Sequence, residues 1–277
     1  MQELKNSFMD LSKLLDASQN NYRRILYVKL KDGYIPLNKF VNNGSEELTS
    51  GLYIKTFCGR DVYLPAKLSS DLLYFLGVVA GDGSLPFKFN DRGKRMYIIE
   101  IEKANKDFIL GILKPLAEKL FKIEWSYLTR KRTNRKRVWN LYLYSKPLYL
   151  YLTRLFDFPT GKKSHKIRIP ELVRKLDPED RLPFIVGIMD TDWGLVGNKN
   201  FGTHCASRIL LEDIRDAIKH FLNIKLKIRK IIQGKYTSYQ MRVLKSEMPK
   251  LSALLNSYFP LKNQKRIKAF KTELYRT

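Results

Sequence analysis

Two short stretches of this chain are near copies of one another. The first is Phe75-Leu76-Gly77-Val78-Val79-Ala80-Gly81-Asp82-Gly83-Ser84 and the second is Ile185-Val186-Gly187-Ile188-Met189-Asp190-Thr191-Asp192-Trp193-Gly194. Each is an apolar helical run with a small residue in its middle. Each ends abruptly in an acidic residue, with glycine following at once or one step later. A duplicated helix that delivers one carboxylate at its end predicts two copies of one fold, each giving half of a shared acidic site.

The rest of the chain sets bounds on that reading. With 277 residues and 44% hydrophobic content there is enough apolar material for a core and for one to three domains. No apolar run reaches the roughly 18 residues of a membrane span, and Met1–Asn6 opens no signal-peptide stretch. The two cysteines, Cys58 and Cys205, suit a reducing compartment, and CxxC zinc spacing is absent. The expected location is therefore the cytoplasm, in association with the nucleoid. Lys and Arg number 52 against 27 acidic residues, a net charge of +25. So large an excess opposes compactness through self-repulsion and points to a polyanionic partner, nucleic acid, over a merely solubilising surface.

The segment 1–66 stands outside the repeat. A short helix at Leu11–Leu15 and strands at Tyr27–Leu30, Gly51–Phe57 and Asp61–Leu64 are expected there, with turns at Lys31-Asp32-Gly33 and Asn42-Asn43-Gly44. From Lys67 a pattern runs twice. Ser69-Ser70-Asp71 offers an N-cap to a helix Leu72–Gly81. A strand Met96–Glu102, a helix over 105–120, strands Ile123–Arg130 and Arg137–Tyr144 and a helix Pro147–Phe156 follow. The second pass opens at Asp177-Pro178, where Asp177 is placed to cap and Pro178 suits a first helical turn. It continues with a helix Leu182–Thr191, a strand Phe201–Cys205, a helix Ile209–Phe221, strands Ile224–Lys230 and Ser238–Leu244 and a helix Met248–Leu255. The order in both halves is α-β-β-α-β-β-α, an α+β fold, with the first strand of each half poorly marked. A short basic linker, Gly161–Pro170, joins repeats expected at 67–170 and 171–277.

The strands say where the charge goes. Ile224, Leu226 and Ile228 alternate with Lys225, Lys227 and Arg229, so a period of two puts three cations on one face. The matching hairpin of the first half carries Arg130, Lys131, Arg132, Arg135, Lys136 and Arg137 around Thr133-Asn134. Cationic strands in both copies favour a sheet laid against a phosphate backbone, and a two-stranded ribbon fits the major groove of duplex DNA. Glu100 and Glu102 alternate with Ile99 and Ile101. They either accept from cytosine amino groups in that groove or face plain solvent.

On the motif helices Gly77, Ala80 and Gly81 share a face, as do Gly187 and Thr191. Small residues at this spacing let two helices pack backbone to backbone. Such pairing brings Asp82 and Asp192 together, and two close carboxylates need a positive charge between them. Mg²⁺ suits that place, because it takes oxygen ligands and keeps water for a phosphate displacement. A carboxylate at a helix C-terminus is otherwise electrostatically unfavourable.

The paired motifs resemble those of the LAGLIDADG homing endonucleases, in the single-chain, two-repeat, archaeal-type form. Ser145-Lys146-Pro147-Leu148, Gly161-Lys162-Lys163-Ser164, Ile167-Arg168-Ile169-Pro170 and Leu210-Leu211-Glu212-Asp213-Ile214 add to the likeness, which covers about residues 67–270. The resemblance implies a pseudo-twofold monomer with saddle-shaped sheets that cuts both strands of a long asymmetric DNA site using Mg²⁺, with Mn²⁺ or Ca²⁺ able to substitute in binding. It implies Asp82 and Asp192 as metal ligands, with the carbonyls of Gly81 and Thr191 beside them. It also implies Lys146 and Lys245 as lysines acting at the scissile phosphate. A polar position at the end of the second strand maps to Lys103, counted among the DNA contacts, and to Cys205.

Trp193 departs from the family pattern, which has glycine there; it either packs under the sheet or distorts the second metal site. Asp190 is read as structural. His165, His204 and His220 make no HNH or zinc pattern. Trp125, Trp139, Tyr142 and Tyr144 are expected to pack against the sheet. The alternative function is an RNA maturase or other non-cleaving binder of the same fold, with intron RNA as partner. Protein splicing is not expected, since the chain starts Met1-Gln2 and ends Tyr275-Arg276-Thr277.

Overall fold

The computed structural model describes residues 27–30, 33–36, 51–55, 61–131, 137–196, 200–234 and 236–251. The expected helix at Leu11–Leu15, the turn at Asn42–Gly44 and Cys58 lie outside these residues. Contacts group the chain into two compact units. One holds the residues up to Leu72 with Gly83–Gly161; the other holds Leu73–Asp82 with the residues from Lys162 onward.

The first unit opens with a four-stranded antiparallel sheet of order β2-β1-β3-β4, built from β1 (Tyr27–Leu30), β2 (Gly33–Pro36), β3 (Gly51–Lys55) and β4 (Asp61–Pro65). Gly33, expected as the last residue of a turn Lys31–Gly33, instead opens the strand Gly33–Pro36. Helix α1 (Ser70–Gly81) starts where expected, with the Ser69 hydroxyl accepting from the Leu72 amide at 3.2 Å. A second sheet follows: β5 (Gly83–Ser84), β6 (Phe87–Phe89), β7 (Arg95–Lys103), β8 (Ser126–Arg130) and β9 (Val138–Tyr144). Its order is β5-β7-β9-β8, with β6 also on β7.

The helix expected over 105–120 is not one uniform α-helix. Asp107–Leu113 is wound in wide π turns, and α2 (Lys114–Phe121) follows. Pro115 has no N–H to give the carbonyl four residues before it, so the α ladder breaks there and the preceding turns widen. The helix expected at Pro147–Phe156 likewise runs as α3 (Lys146–Leu150) and then π turns over Tyr151–Leu155. Tyr151 is fully buried and donates to the Pro65 carbonyl at 2.8 Å, which ties this segment to β4.

The second unit contains α4 (Glu171–Arg174), α5 (Leu182–Asp192), β10 (Gly194–Val196), β11 (Asn200–Cys205), α6 (Arg208–Leu222), β12 (Leu226–Gln233) and β13 (Tyr236–Val243). Its sheet order, β10-β11-β13-β12, repeats that of β5-β7-β9-β8. The duplication therefore extends from the motif helices to the strand pairing. Asp177 does not cap the second motif helix. Arg181 is its N-cap position, without a side-chain bond, and Pro183 rather than Pro178 occupies its first turn.

Helix α6 is amphipathic. Leu210, Leu211, Ile214, Ala217 and Ile218 are buried, the Ser207 hydroxyl accepts from the Leu210 amide at 3.2 Å, and Asn223 closes the helix in a left-handed conformation. The motif helices differ in kind. Every residue from Leu182 to Thr191 is buried, and so is every residue from Leu72 to Ala80. Helices apolar all round belong inside a fold.

These two helices touch main chain to main chain. A methyl group on Gly77 would lie 2.0 Å from the Phe184 carbonyl oxygen, and one on Gly187 would lie 2.3 Å from that of Tyr74. Neither obstacle is a side chain that can swing aside. Beside this contact the Tyr74 hydroxyl donates to Asp190 Oδ2 at 2.7 Å in a buried bond. Burial, reinforced by the Asp190 charge, pushes the Tyr74 pKa far above the ordinary phenolic range and keeps the donor proton in place. Asp190 therefore serves the helix contact, as read from the sequence.

Gly77→Ala should lower unfolding stability by about 3 kcal/mol, because the two helices must separate. Gly111→Ala, where an added methyl meets nothing within 4 Å, should be neutral or slightly stabilising. Urea denaturation of both variants measures the contrast.

Candidate active site at the ends of the motif helices

The glycine contact fixes where the helices end. At Gly81 a methyl group would lie 1.9 Å from Thr191 Oγ1 and 3.4 Å from Asp192 Oδ2. The last turn of one helix thus abuts the last turn of the other. The Thr191 hydroxyl is turned back onto its own helix, donating toward the carbonyls of Ile188 at 2.8 Å and Gly187 at 3.2 Å. Asp82 continues its helix by one backbone bond, its amide donating to the Val78 carbonyl at 3.0 Å. Asp82 is half-buried, whereas Asp192 is exposed between buried Thr191 and Trp193.

Trp193 resolves one alternative left open by the sequence. It is 1% exposed, and its ring stands 5.6 Å from that of Phe201 on β11. The indole packs under the sheet of its own unit, and the Trp193 amide still closes α5 on the Met189 carbonyl.

The residue that sequence reasoning missed is Lys163. Its ammonium donates to the carbonyls of Val79, Ala80 and Gly81 at 2.8, 2.7 and 2.7 Å. These are among the last carbonyls of α1, which have no intrahelical donor and carry the negative end of the helix dipole. Neither motif helix has a basic residue in its last turn. That absence was the available signal: a helix ending in a carboxylate without its own cation must borrow one. Burial lowers the Lys163 pKa to about 8, and the charges of Asp192 and Asp82 limit the fall. Cys205, at the end of β11, is near enough to feel the same charges. Burial is the largest cause raising its thiol pKa, Asp192 adds to the rise, and Lys163 opposes it. Its sulfur accepts from the Ser207 amide at 3.3 Å.

The lysines expected at the scissile phosphate are differently placed. Lys146 opens α3 in the first unit, behind the N-cap Ser145, with its ammonium 5.8 Å from the centre of the Tyr97 ring. Lys245 begins the short turn Lys245–Glu247, one residue beyond the end of β13.

The sheet faces follow from register. Lys225, Lys227 and Arg229 are exposed while Ile224 and Leu226 are buried, as the alternation predicts. Lys227 pairs with Arg242, and Arg229 with Gln240, which in turn faces His204. Arg242, Gln240 and His204 thus join the cationic face, and the Gln240 amide lies against the His204 ring. In the first unit Arg130, Lys131 and Arg137 are exposed at the end of the β8–β9 hairpin. Arg132, Arg135 and Lys136 lie outside the described residues. Lys103 ends β7 opposite Trp139.

Glu100 and Glu102 stand across from Tyr142 and Asn140, on the face opposite the one carrying buried Ile99, Ile101, Leu141 and Leu143. Lys88 pairs with Glu100 at 3.3 Å. Tyr144 is 53% exposed on that open face, so it and Tyr142 are not core residues, whereas Trp125 is buried as expected.

Among the described residues no group of three or more His, Cys, Asp or Glu is gathered as a metal cluster. What the motif ends assemble is two carboxylates and a set of main-chain carbonyls. An all-oxygen set of this kind suits a hard cation such as Mg²⁺, which commonly takes one or two protein carboxylates.

No protein-family model and no curated protein matches the sequence. The fold is nonetheless that of the LAGLIDADG homing endonucleases. The crystal structure of I-DmoI in complex with DNA and Mn matches with a TM-score of 0.54 at 18% identity, over 69% of this chain and 98% of that one. The homing endonuclease I-WcaI bound to its DNA recognition sequence matches with a TM-score of 0.50 at 16% identity, over 72% of this chain and 87% of that one. I-DmoI has also been solved in complex with DNA and Ca.

The ¹³Cε resonance of Lys163 should titrate near pH 8 instead of at the ordinary lysine value. Since Asp192 holds that pKa up, Asp192→Asn should move the midpoint lower still. A midpoint near 10.5 would contradict the burial of the ammonium.

Proposed function

We propose that this protein is a site-specific, Mg²⁺-dependent DNA endonuclease that hydrolyses both strands of a long asymmetric target and acts as a monomer. The observation carrying the proposal is the meeting of Gly81-Asp82 with Thr191-Asp192 at the paired helix ends. The fold likeness to endonucleases solved on DNA and the net charge of +25 support it.

In this reading Asp82 and Asp192 hold Mg²⁺, with the Thr191 and Gly81 carbonyls as candidate further ligands. Mg²⁺ bound there would neutralise charge developing on the phosphate and supply the attacking water. The chain's own residues do the rest. Asp82 and Asp192 orient the metal from a rigid helix contact. Lys146 and Lys245 each offer an ammonium to a phosphate oxygen as negative charge builds on it. Arg130, Lys131, Arg137, Lys225, Lys227 and Arg229 bind the phosphate backbone, joined by Arg132, Arg135 and Lys136 in the β8–β9 connection and by Lys103. Phosphate contacts fix position, while base edges are read from the open sheet faces. There Arg242 has the chemistry to read guanine, and Glu102 to accept from cytosine.

Incubation with a randomised duplex library and Mg²⁺ should yield a single family of cut sequences. Asp82→Asn and Asp192→Asn should each reduce cutting to background and retain binding to the selected site in a gel-shift assay. Cutting by both variants would end the shared-site reading. Binding to structured RNA with no cleavage of any duplex would favour the maturase alternative.

Lys227→Ala and Arg229→Ala should each weaken binding almost equally for matched and unmatched duplexes. Each should reduce the slope of log K against log [salt] by about 1. Fluorescence anisotropy across a salt series measures this.

A further inference from the structure

The first motif helix already has a cation at its end, and that cation is part of the chain. An ammonium has three hydrogens to donate. Lys163 directs all three to the carbonyls of Val79, Ala80 and Gly81, at 2.7–2.8 Å. This is a complete donor set around a positive centre, beside both motif carboxylates. The Gly81 carbonyl is also the oxygen that the proposed metal site would use. A Mg²⁺ ion sits about 2.1 Å from its oxygen ligands. Sharing that oxygen with an ammonium 2.7 Å away would bring two positive charges to about 4 Å, where they repel strongly at the low effective dielectric of a protein site.

We infer that Lys163 is a resident counter-ion of the Asp82–Asp192 pair and that it competes with the divalent cation for the end of the first motif helix. Without metal, Lys163 holds the helix carbonyls and offsets the two carboxylates. A divalent cation bound at the aspartates through the Gly81 oxygen requires the ammonium to withdraw from it. Lys163 is thus a positioning residue whose removal leaves the oxygen cradle open. The inference rests on the metal-site reading proposed above, and goes beyond it in making metal affinity depend on a lysine that is not a ligand.

The test is Ca²⁺ binding to the full chain without DNA, by isothermal titration calorimetry, with thermal melting in EDTA and in Ca²⁺. Lys163→Met should melt lower than wild type in EDTA, bind Ca²⁺ about tenfold more tightly, and gain more from Ca²⁺ in its melting temperature. Lys163→Arg, which keeps the charge, should retain the weaker affinity of wild type. Asp82→Asn and Asp192→Asn should weaken Ca²⁺ binding.

If Lys163→Met binds Ca²⁺ no more tightly than wild type while the Asn variants lose it, the competition is refuted and the metal site stands. If the Asn variants bind Ca²⁺ like wild type, the metal reading falls and the inference with it. Should Lys163→Met not fold, the wild-type Lys163 ¹³Cε resonance decides. It should shift when Ca²⁺ saturates the protein, and an unmoved resonance at saturation overturns the inference.

Discussion

The contact between Gly77 and Gly187 is the constraint on which the remaining geometry of this site depends. It sets main chain against main chain, with the Phe184 and Tyr74 carbonyls in the space where methyl groups would otherwise stand. Backbone is far less compliant than side chain, so a contact of this kind fixes the register of two helices closely. Everything beyond it is carried by rigid helical rise. Gly81 and Thr191 stand one turn further along, and Asp82 and Asp192 follow as the next residues. The Tyr74–Asp190 bond adds a polar fastening between the same two helices. It satisfies a buried carboxylate that would be costly if left without a donor.

That register creates an electrostatic difficulty. The C-terminal ends of helices are negative, and here each is followed or closed by a carboxylate. Proteins commonly meet such a problem with Lys or Arg in the last turn, but these helices are apolar to their ends because both are buried. The counter-charge arrives instead from the connecting segment, through Lys163. The same burial that demands the cation also makes it costly to charge, which is why its pKa is lowered even with two carboxylates nearby. Packing and electrostatics at this point are two aspects of one design.

The strongly periodic parts of the fold were legible in the sequence. The motif helices, α6 with its Ser207 cap, and the alternation of Lys225, Lys227 and Arg229 against Leu226 all carry their structure in local pattern. The approach of the two helix ends that carry Asp82 and Asp192 was legible for a different reason: duplication implies that equal parts meet equally. What escaped was non-local or too short to have a period. Strands Gly83–Ser84 and Gly194–Val196 are defined by pairing with β7 and β11 rather than by their own residues. The widened turns before Pro115 arise from one missing donor. Asp177-Pro178 has the right letters for a cap, but the helix begins later, at Leu182. Lys163 read as one more base in a basic linker. Only the fold identifies which of the adjacent Lys162 and Lys163 reaches the helix end, since neighbouring side chains in a loop point different ways.

The two repeats share strand order but not surface chemistry, and the difference has a physical meaning. The open face of β12 and β13 presents Lys227, Arg229 and Arg242, a cationic set. The corresponding face of β7 and β9 presents Glu100, Glu102, Tyr142 and Tyr144. Carboxylates repel phosphates, so a face bearing two of them is suited to a polyanion only where its acceptors meet donors, and the amino groups of bases are the donors a groove offers. Lys88 already moderates Glu100. Duplication has kept the helix contact, whose geometry tolerates almost no change, and released the sheet faces, where each side chain meets its partner separately.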